Sequence, residues 1–346
     1  MSPTRTPHPP APPQTAGQNS SPPAQAPALP DQFFPVSKHC LMKLCGEITF
    51  DLYTYPPGTH QIKEPVLFMR RNTILSTIQE VIASRGFEEF FIKKEDQKNF
   101  HHLIENFITM LIEDEDIALP EKSQIIYQCA SKVIQDIFTD PRSGDNLKRA
   151  KDITSNIIQF ALSDDASIPG LLQLSSHDYY TFTHCLNVAV FSIGMWQRIY
   201  PGRRQGLQEF ALGCILHDIG KSRIDETILN KPGPLTAEEF AVIKQHPRFG
   251  YELMADCVPK IALDVILHHH EKHSGAGYPE GLKGEQISDL AKIAAIADVY
   301  DALTTRRAYA EARDPFKAML TMKEEMVGHF EQEKFISFIH LLSGKK

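Results

Sequence analysis

The chain has 346 residues, 42% hydrophobic and 23% charged, which is ordinary for a globular protein and long enough for two domains. Its formal net charge of −7 argues against a general nucleic-acid or membrane-surface binder, so an anionic substrate has to meet a local positive site. No run approaches the ~18 apolar residues of a membrane span. The opening MSPTRTPHPPAPPQ also lacks the apolar stretch of a secretory leader. The expectation is a cytoplasmic protein with neither a membrane nor a nucleic-acid polymer among its partners.

In chain order, residues 1–30 come first and hold ten of the 24 prolines, mixed with Ala, Ser and Gln. Such a composition cannot bury a core and reads as a disordered tail. From residue 31 to about 120 the signals are mixed. EITFDLYTY and PVLFMRR read as strands with YPPGTH turning between them, TILSTIQEVIAS as a helix stopped by Gly86, and FEEFFI as a further strand. This span is taken as a small α/β module with a regulatory or interaction role. Its aromatic residues Phe50, Tyr53 and Tyr55 read as core.

Beyond Lys93 the apolar spacing becomes helical, in FHHLIENFITMLI, KSQIIYQCASKVIQDIF and NLKRAKDITSNIIQFAL. Residues 121–164 are expected to be bridging helices, which could also pair between two chains as a homodimer, and 165–346 an all-helical domain. The whole is mainly α. His101 and His102 have no acidic or cysteine partner at ligand spacing and read as surface residues. The six cysteines, at 40, 45, 129, 185, 214 and 257, form no CxxC pair and read as small buried hydrophobes.

Eight of the fifteen histidines fall between His177 and His273. Imidazole and carboxylate together suit Fe, Mn, Zn or Ni, whereas an oxygen-only set suits Mg or Ca. In ALGCILHDIGKSRI the apolar face of a helix leads to His217 and Asp218 in its last turn, with Gly220 as the stop and Lys221 one turn on. An HD pair alone is weak evidence. The set around it is more specific: His184 before an apolar helix, His246 in QHPRFG at a helix end, and Asp298 in IAAIADVYDAL. A carboxylate in so apolar a run needs a cation or strong donors.

These segments, together with HHHEKHSGAGYP at 268–279, resemble the HD-GYP subgroup of the HD-domain metal-dependent phosphohydrolases over roughly residues 165–340. The resemblance implies a helical bundle around two divalent metal ions, with Fe or Mn preferred. It implies metal ligands at His184, His217, Asp218, His246, His269, His270 and Asp298. Lys221 is implied as a phosphate contact, Arg307 in TTRRAY as a second grip on phosphate or base, and Tyr278 as a pocket residue. GAGYP resembles the loop that names the subgroup, with Gly275 and Gly277 free to take positive φ and Pro279 fixing the exit. The loop from Gly275 to Pro279 also offers a surface to a protein partner.

The chain departs from the family's pattern at Ser274, where Asp is usual, and at Ala310, where a basic residue is common. Tyr180 stands where some members carry a glutamate for a third metal. Glu271 and Asp301 are read as groups that orient ligands or sit on the helix surface, and Tyr309 as pocket or core. His177 and Asp178 are read as helix capping, His268 as an ordinary helix residue and His273 as exposed.

The implied activity is phosphodiester hydrolysis of a cyclic dinucleotide, cyclic di-GMP, to pGpG and on to GMP, with Asp218 and Lys221 catalytic. Two alternatives stay open: an HD-type phosphohydrolase acting on another cyclic dinucleotide or nucleotide, and a weakly active cyclic di-GMP-binding scaffold that signals through the N-terminal module.

Overall fold

The computed structural model describes residues 30–57, 64–174, 181–305 and 312–344. The N-terminal elements are β1 (Phe33–Val36), α1 (Lys38–Lys43), β2 (Leu52–Thr54), β3 (Val66–Met69), α2 (Leu75–Arg85) and β4 (Phe90–Lys93). The strands form one antiparallel sheet in the order β1-β4-β2-β3. Pro35 is tolerated in β1 because that strand lies at the sheet's edge, where a missing N–H costs no ladder bond. Gly86 ends α2 at φ 65°, in the left-handed region that a Cβ disfavours. The three expected strands are present. Two elements that the sequence pattern did not announce, β1 and α1, complete the module.

From residue 97 the described chain is helical: α3 (Gln97–Glu113), α4 (Leu119–Thr139), α5 (Gly144–Ala161), α6 (Ser167–Gln173), α7 (Thr181–Ile199) and α8 (Leu207–Leu216). There follow α9 (Glu226–Leu229), α10 (Ala237–Ile243), α11 (His246–Met254), α12 (Lys260–His268), α13 (Asp289–Thr304), α14 (Pro315–Glu324) and α15 (Gln332–Leu342). Local chemistry sets several of these starts. Ser143 caps α5, Thr236 and Glu239 form a reciprocal capping box on α10, and Ser288 and Asp314 cap α13 and α14.

Helix α7 is central, packing on α4, α8, α13 and α15. Its residues from Thr183 to Trp196 are all buried, as is every residue of α8 but two. Each Leu, Ile, Val or Phe so buried contributes about 1.5–3 kcal/mol against exposure. Arg149 on α5 forks onto Glu105 of α3 at 2.7 and 2.8 Å and reaches Asp136 of α4 at 3.0 Å, tying the three helices by charge-assisted bonds. Among the described residues no helix is long and apolar enough to cross a membrane.

His101 corrects its sequence reading. It is 5% exposed, packed beside the rings of Phe34 and Phe100, with neither ring nitrogen hydrogen-bonded among the described residues. Its position on the apolar face of α3 decided its burial, which absence of a ligand partner could not reveal. His102 remains on the outer side, 3.8 Å from Glu105.

Candidate metal centre

Five segments bring the candidate ligands together. His184 lies in the first turn of α7, His217 is the C-cap of α8, and Asp218 leads into the 3-10 turn Ile219–Arg223. His246 opens α11, so it starts a helix rather than ending one. His269 is the C-cap of α12 with His270 next, and Asp298 lies within α13.

Gly220 also differs from the sequence expectation. It adopts no positive φ; a Cβ there would stand 2.0 Å from the His246 carbonyl oxygen and 2.4 Å from the Gly250 nitrogen. Its missing side chain lets the HD turn lie directly on α11. Gly277 likewise serves close approach, its virtual Cβ being 2.4 Å from the Lys272 nitrogen, whereas Gly275 has the expected positive φ of 86°.

Three histidines are oriented by the same device. The Nδ1 atoms of His217, His246 and His269 lie 2.7, 2.8 and 3.0 Å from the carbonyls of Cys214, Ile243 and Ile266, each three residues back. A carbonyl only accepts, so each Nδ1 carries the proton and each Nε2 presents a lone pair. His184 reaches the same state through Asp301, whose Oδ2 accepts from its Nδ1 at 2.7 Å.

These lone pairs converge on one another and on carboxylates. The Nε2 atoms of His246 and His269 are 3.1 Å apart, acceptor against acceptor. Among the described residues His217 Nε2 is buried with no hydrogen-bond partner, and it stands 3.5 Å from Asp218 Oδ2. Asp218 Oδ1 is 3.2 Å from His246 Nε2. Asp298 places Oδ1 3.0 Å from His184 Nε2 and Oδ2 3.5 Å from His270 Nδ1. Buried acceptors facing acceptors are costly unless a cation lies among them.

Burial opposes protonation of His217, and it lowers His269 well below the usual imidazole range with help from the neighbouring rings of His270, His217 and His246. Burial likewise brings His270 down to about 3. Burial works against the charge on Asp218 and Asp298 too. For Asp218 the neighbouring Lys221 ammonium offsets it, and the carboxyl sits well below its ordinary range. Neutral imidazoles with ionised carboxylates are the protonation state that divalent metals bind.

The donors fall into two groups whose ligating atoms lie within 4.8 Å of one another: Asp218, His246, His269 and His270, and His184, His217 and Asp218. Asp218 belongs to both. Asp298 lies outside both groups yet bridges His184 and His270 by its two oxygens. The donor set fits divalent cations of the nitrogen-and-oxygen-binding kind.

Around this cage, Lys221 donates to Asp218 Oδ2 at 2.6 Å and keeps 21% of its side chain exposed, a cation at the mouth of a buried site. The Tyr278 ring is 4.7 Å from the His270 ring and half-buried, and burial together with Asp298 raises its phenol. Glu271 does not ligate: it is buried and accepts the N–H groups of Glu280, Gly281 and Leu282 at 2.7, 3.1 and 3.0 Å, fastening the loop after Pro279. His268 is held by Asp264 at 2.8 Å, and His273 is half-buried rather than exposed.

Arg307, Tyr309 and Ala310, and likewise His177, Asp178 and Tyr180, lie outside the described residues. The sequence reading missed Asn187, whose Nδ2 donates to Asp301 Oδ1 at 2.8 Å. Its signal was available, as the one amide in the apolar run CLNVAVF.

A helical bundle enclosing paired His/Asp clusters that could hold metal ions is the class of site the fold presents, and comparison with known proteins shows what the chain is similar to. Residues 202–333 match the HD domain family. The chain is 35% identical over 231 residues to a protein of Pseudomonas aeruginosa named a cyclic di-GMP phosphodiesterase, covering 64% of this chain and 55% of that one. It is 30% identical over 218 residues to a 3′3′-cGAMP-specific phosphodiesterase of Vibrio cholerae, covering 59% and 46%. The chain thus spans about half the length of these curated relatives. In fold it resembles a solved HDG"Y"P protein from Bdellovibrio bacteriovorus, with a TM-score of 0.64 at 18% identity over 90% of this chain and all of the other. Residues 202–333 thus match an HD domain, and the motifs of the C-terminal half resemble those of the HD-GYP kind.

Proposed function

We propose that this protein is a divalent-metal phosphodiesterase that opens cyclic di-GMP to linear pGpG, using two metal ions, with iron or manganese preferred. The observation that supports it most is the convergence of the His217, His246 and His269 lone pairs on the shared carboxylate Asp218, with Lys221 beside it. His184, His217, Asp218, His246, His269, His270 and Asp298 would hold the ions. When bound, such ions supply an activated water and neutralise charge on the phosphoryl oxygens.

The chain's own groups do the rest. Lys221, already near the carboxylate, offers its ammonium to a phosphoryl oxygen, and Tyr278 beside His270 provides a face for the substrate. Arg307 is a second candidate grip. Water adds to phosphorus, the bond from phosphorus to the 3′ oxygen breaks, and one water proton ends on that oxygen, leaving a 5′ phosphate and a 3′ hydroxyl. A second cut of the same kind would give GMP.

The test is turnover by Fe2+- or Mn2+-loaded protein under reducing conditions. Cyclic di-GMP should yield pGpG, and Asp218→Ala should not turn over. Absence of turnover with either metal contradicts the proposal. The Vibrio relative motivates a second reading, in which 3′3′-cGAMP is the preferred substrate; kcat/KM for both dinucleotides decides between them.

A further inference from the structure

His217, His246 and His269 lean on backbone carbonyls, which exist whatever the neighbouring side chains are. His184 leans on a side-chain relay instead. Asp301 Oδ2 accepts from His184 Nδ1 at 2.7 Å while its Oδ1 accepts from Asn187 Nδ2 at 2.8 Å. That fixes the Asn187 amide, because reversing it would set a carbonyl oxygen against the carboxylate. Asn187 Oδ1 then faces Tyr127, whose hydroxyl donates to it across a long 3.4 Å. Asn187 and Asp301 are each 2% exposed and Tyr127 9%, so water does not compete freely for these bonds.

Tyr127 belongs to α4, outside the residues matched to the HD domain family. Gln124, Ile125, Gln128 and Cys129 of the same helix line a cavity of about 620 Å3 beside β1 and β4. One helix therefore touches both the N-terminal module and the support of a candidate ligand.

We propose that Tyr127, Asn187 and Asp301 are positioning residues that hold His184 with its proton on Nδ1 and its Nε2 lone pair toward the metal site, and that they make this ligand answerable to α4. The proposal rests on the metal-centre reading above. Partners of this kind, behind a ligating histidine, typically change metal affinity by about 10–100-fold when removed.

The experiment uses the full chain with 15N- and 13C-labelled histidine. The tautomers of His184 and His269 are read by NMR in metal-free protein, and Mn2+ affinity by competition with a chelator. His184 of the unaltered protein should show a single tautomer protonated at Nδ1. Tyr127→Phe, which removes one oxygen, should admit the second tautomer at His184 and weaken Mn2+ binding by about 3-fold. Asn187→Ala should weaken it by about 10–100-fold.

His269, held by Ile266, should be unchanged in both variants. The proposal is overturned if His184 keeps its single tautomer and Mn2+ affinity stays within about twofold, or if His184 and His269 shift together, which would mark general loosening. Should Asn187→Ala not fold, Tyr127→Phe decides alone. Because the tautomer is read without metal or substrate, failure of the phosphodiesterase proposal leaves this test intact.

Discussion

Replacing Gly220 with alanine tests whether the HD turn is positioned by its contact with α11. The added Cβ would lie 2.0 Å from the His246 carbonyl oxygen and 2.4 Å from the Gly250 nitrogen. Carbon and oxygen rest at about 3.3–3.6 Å even in a favourable contact, so α11 has to retreat by more than about 1 Å. Both obstructing atoms are backbone, and no side chain can swing aside.

Overpacking of a core costs typically about 1–3 kcal/mol, occasionally more, and a rigid backbone overlap belongs at the top of that range. At ~2–4 °C per kcal/mol for a domain of ~150–250 residues, a cost of ~3 kcal/mol lowers Tm by about 6–12 °C. Because His246 Nε2 is 3.2 Å from Asp218 Oδ1 across that contact, Mn2+ affinity should fall with it. Calorimetry and a chelator competition provide the measurements. Gly144→Ala is the control, since nothing lies within 4 Å of its Cβ and its helical setting favours alanine. If Gly220→Ala melts within about 2 °C of the unaltered protein and binds Mn2+ as well, the reasoning is refuted.

Three further outcomes follow from particular side chains. Burial brings His101 down to about 4 from 6.5. The unfolded chain therefore binds the proton first, and the stabilising difference, complete above pH 6.5, is lost as pH falls toward 4. His101→Phe should thus gain about 2 kcal/mol on the unaltered protein between pH 7 and 5, read by urea unfolding at both pH values; a pH-independent difference contradicts this. Glu271→Gln should cost about 1–3 kcal/mol and speed amide exchange at Glu280, Gly281 and Leu282, whose N–H groups it now accepts. Unchanged exchange rates at those three amides would remove Glu271 from its role. Lys221→Met should keep metal content and lower kcat on cyclic di-GMP by about 10²-fold or more; loss of metal instead would make Lys221 a support of Asp218.

Long, strongly periodic segments such as those of α3, α4 and α5 were legible in the sequence, because one apolar face repeated every three or four residues admits few other structures. The candidate ligands were legible as a set by family resemblance, and folding brings all seven into one cluster. What holds them was not. The carbonyls of Cys214, Ile243 and Ile266 carry no signature in residue identity, and the Gly220 contact depends on a neighbour twenty-six residues away. β1 was hidden by its proline, and its edge position is a fact of topology alone. His101 shows the same limit from the other side, since its burial depends on Phe34 from a distant strand.

The central claim is that paired cations lie among these imidazoles and carboxylates. Crystals of the full chain grown with Mn2+ and recorded at the manganese absorption edge test it directly. The account requires two anomalous peaks bridged by Asp218, one against His184 and His217 and the other against His246, His269 and His270. A map with no peak there, at Mn2+ concentrations that occupy surface sites elsewhere, contradicts it.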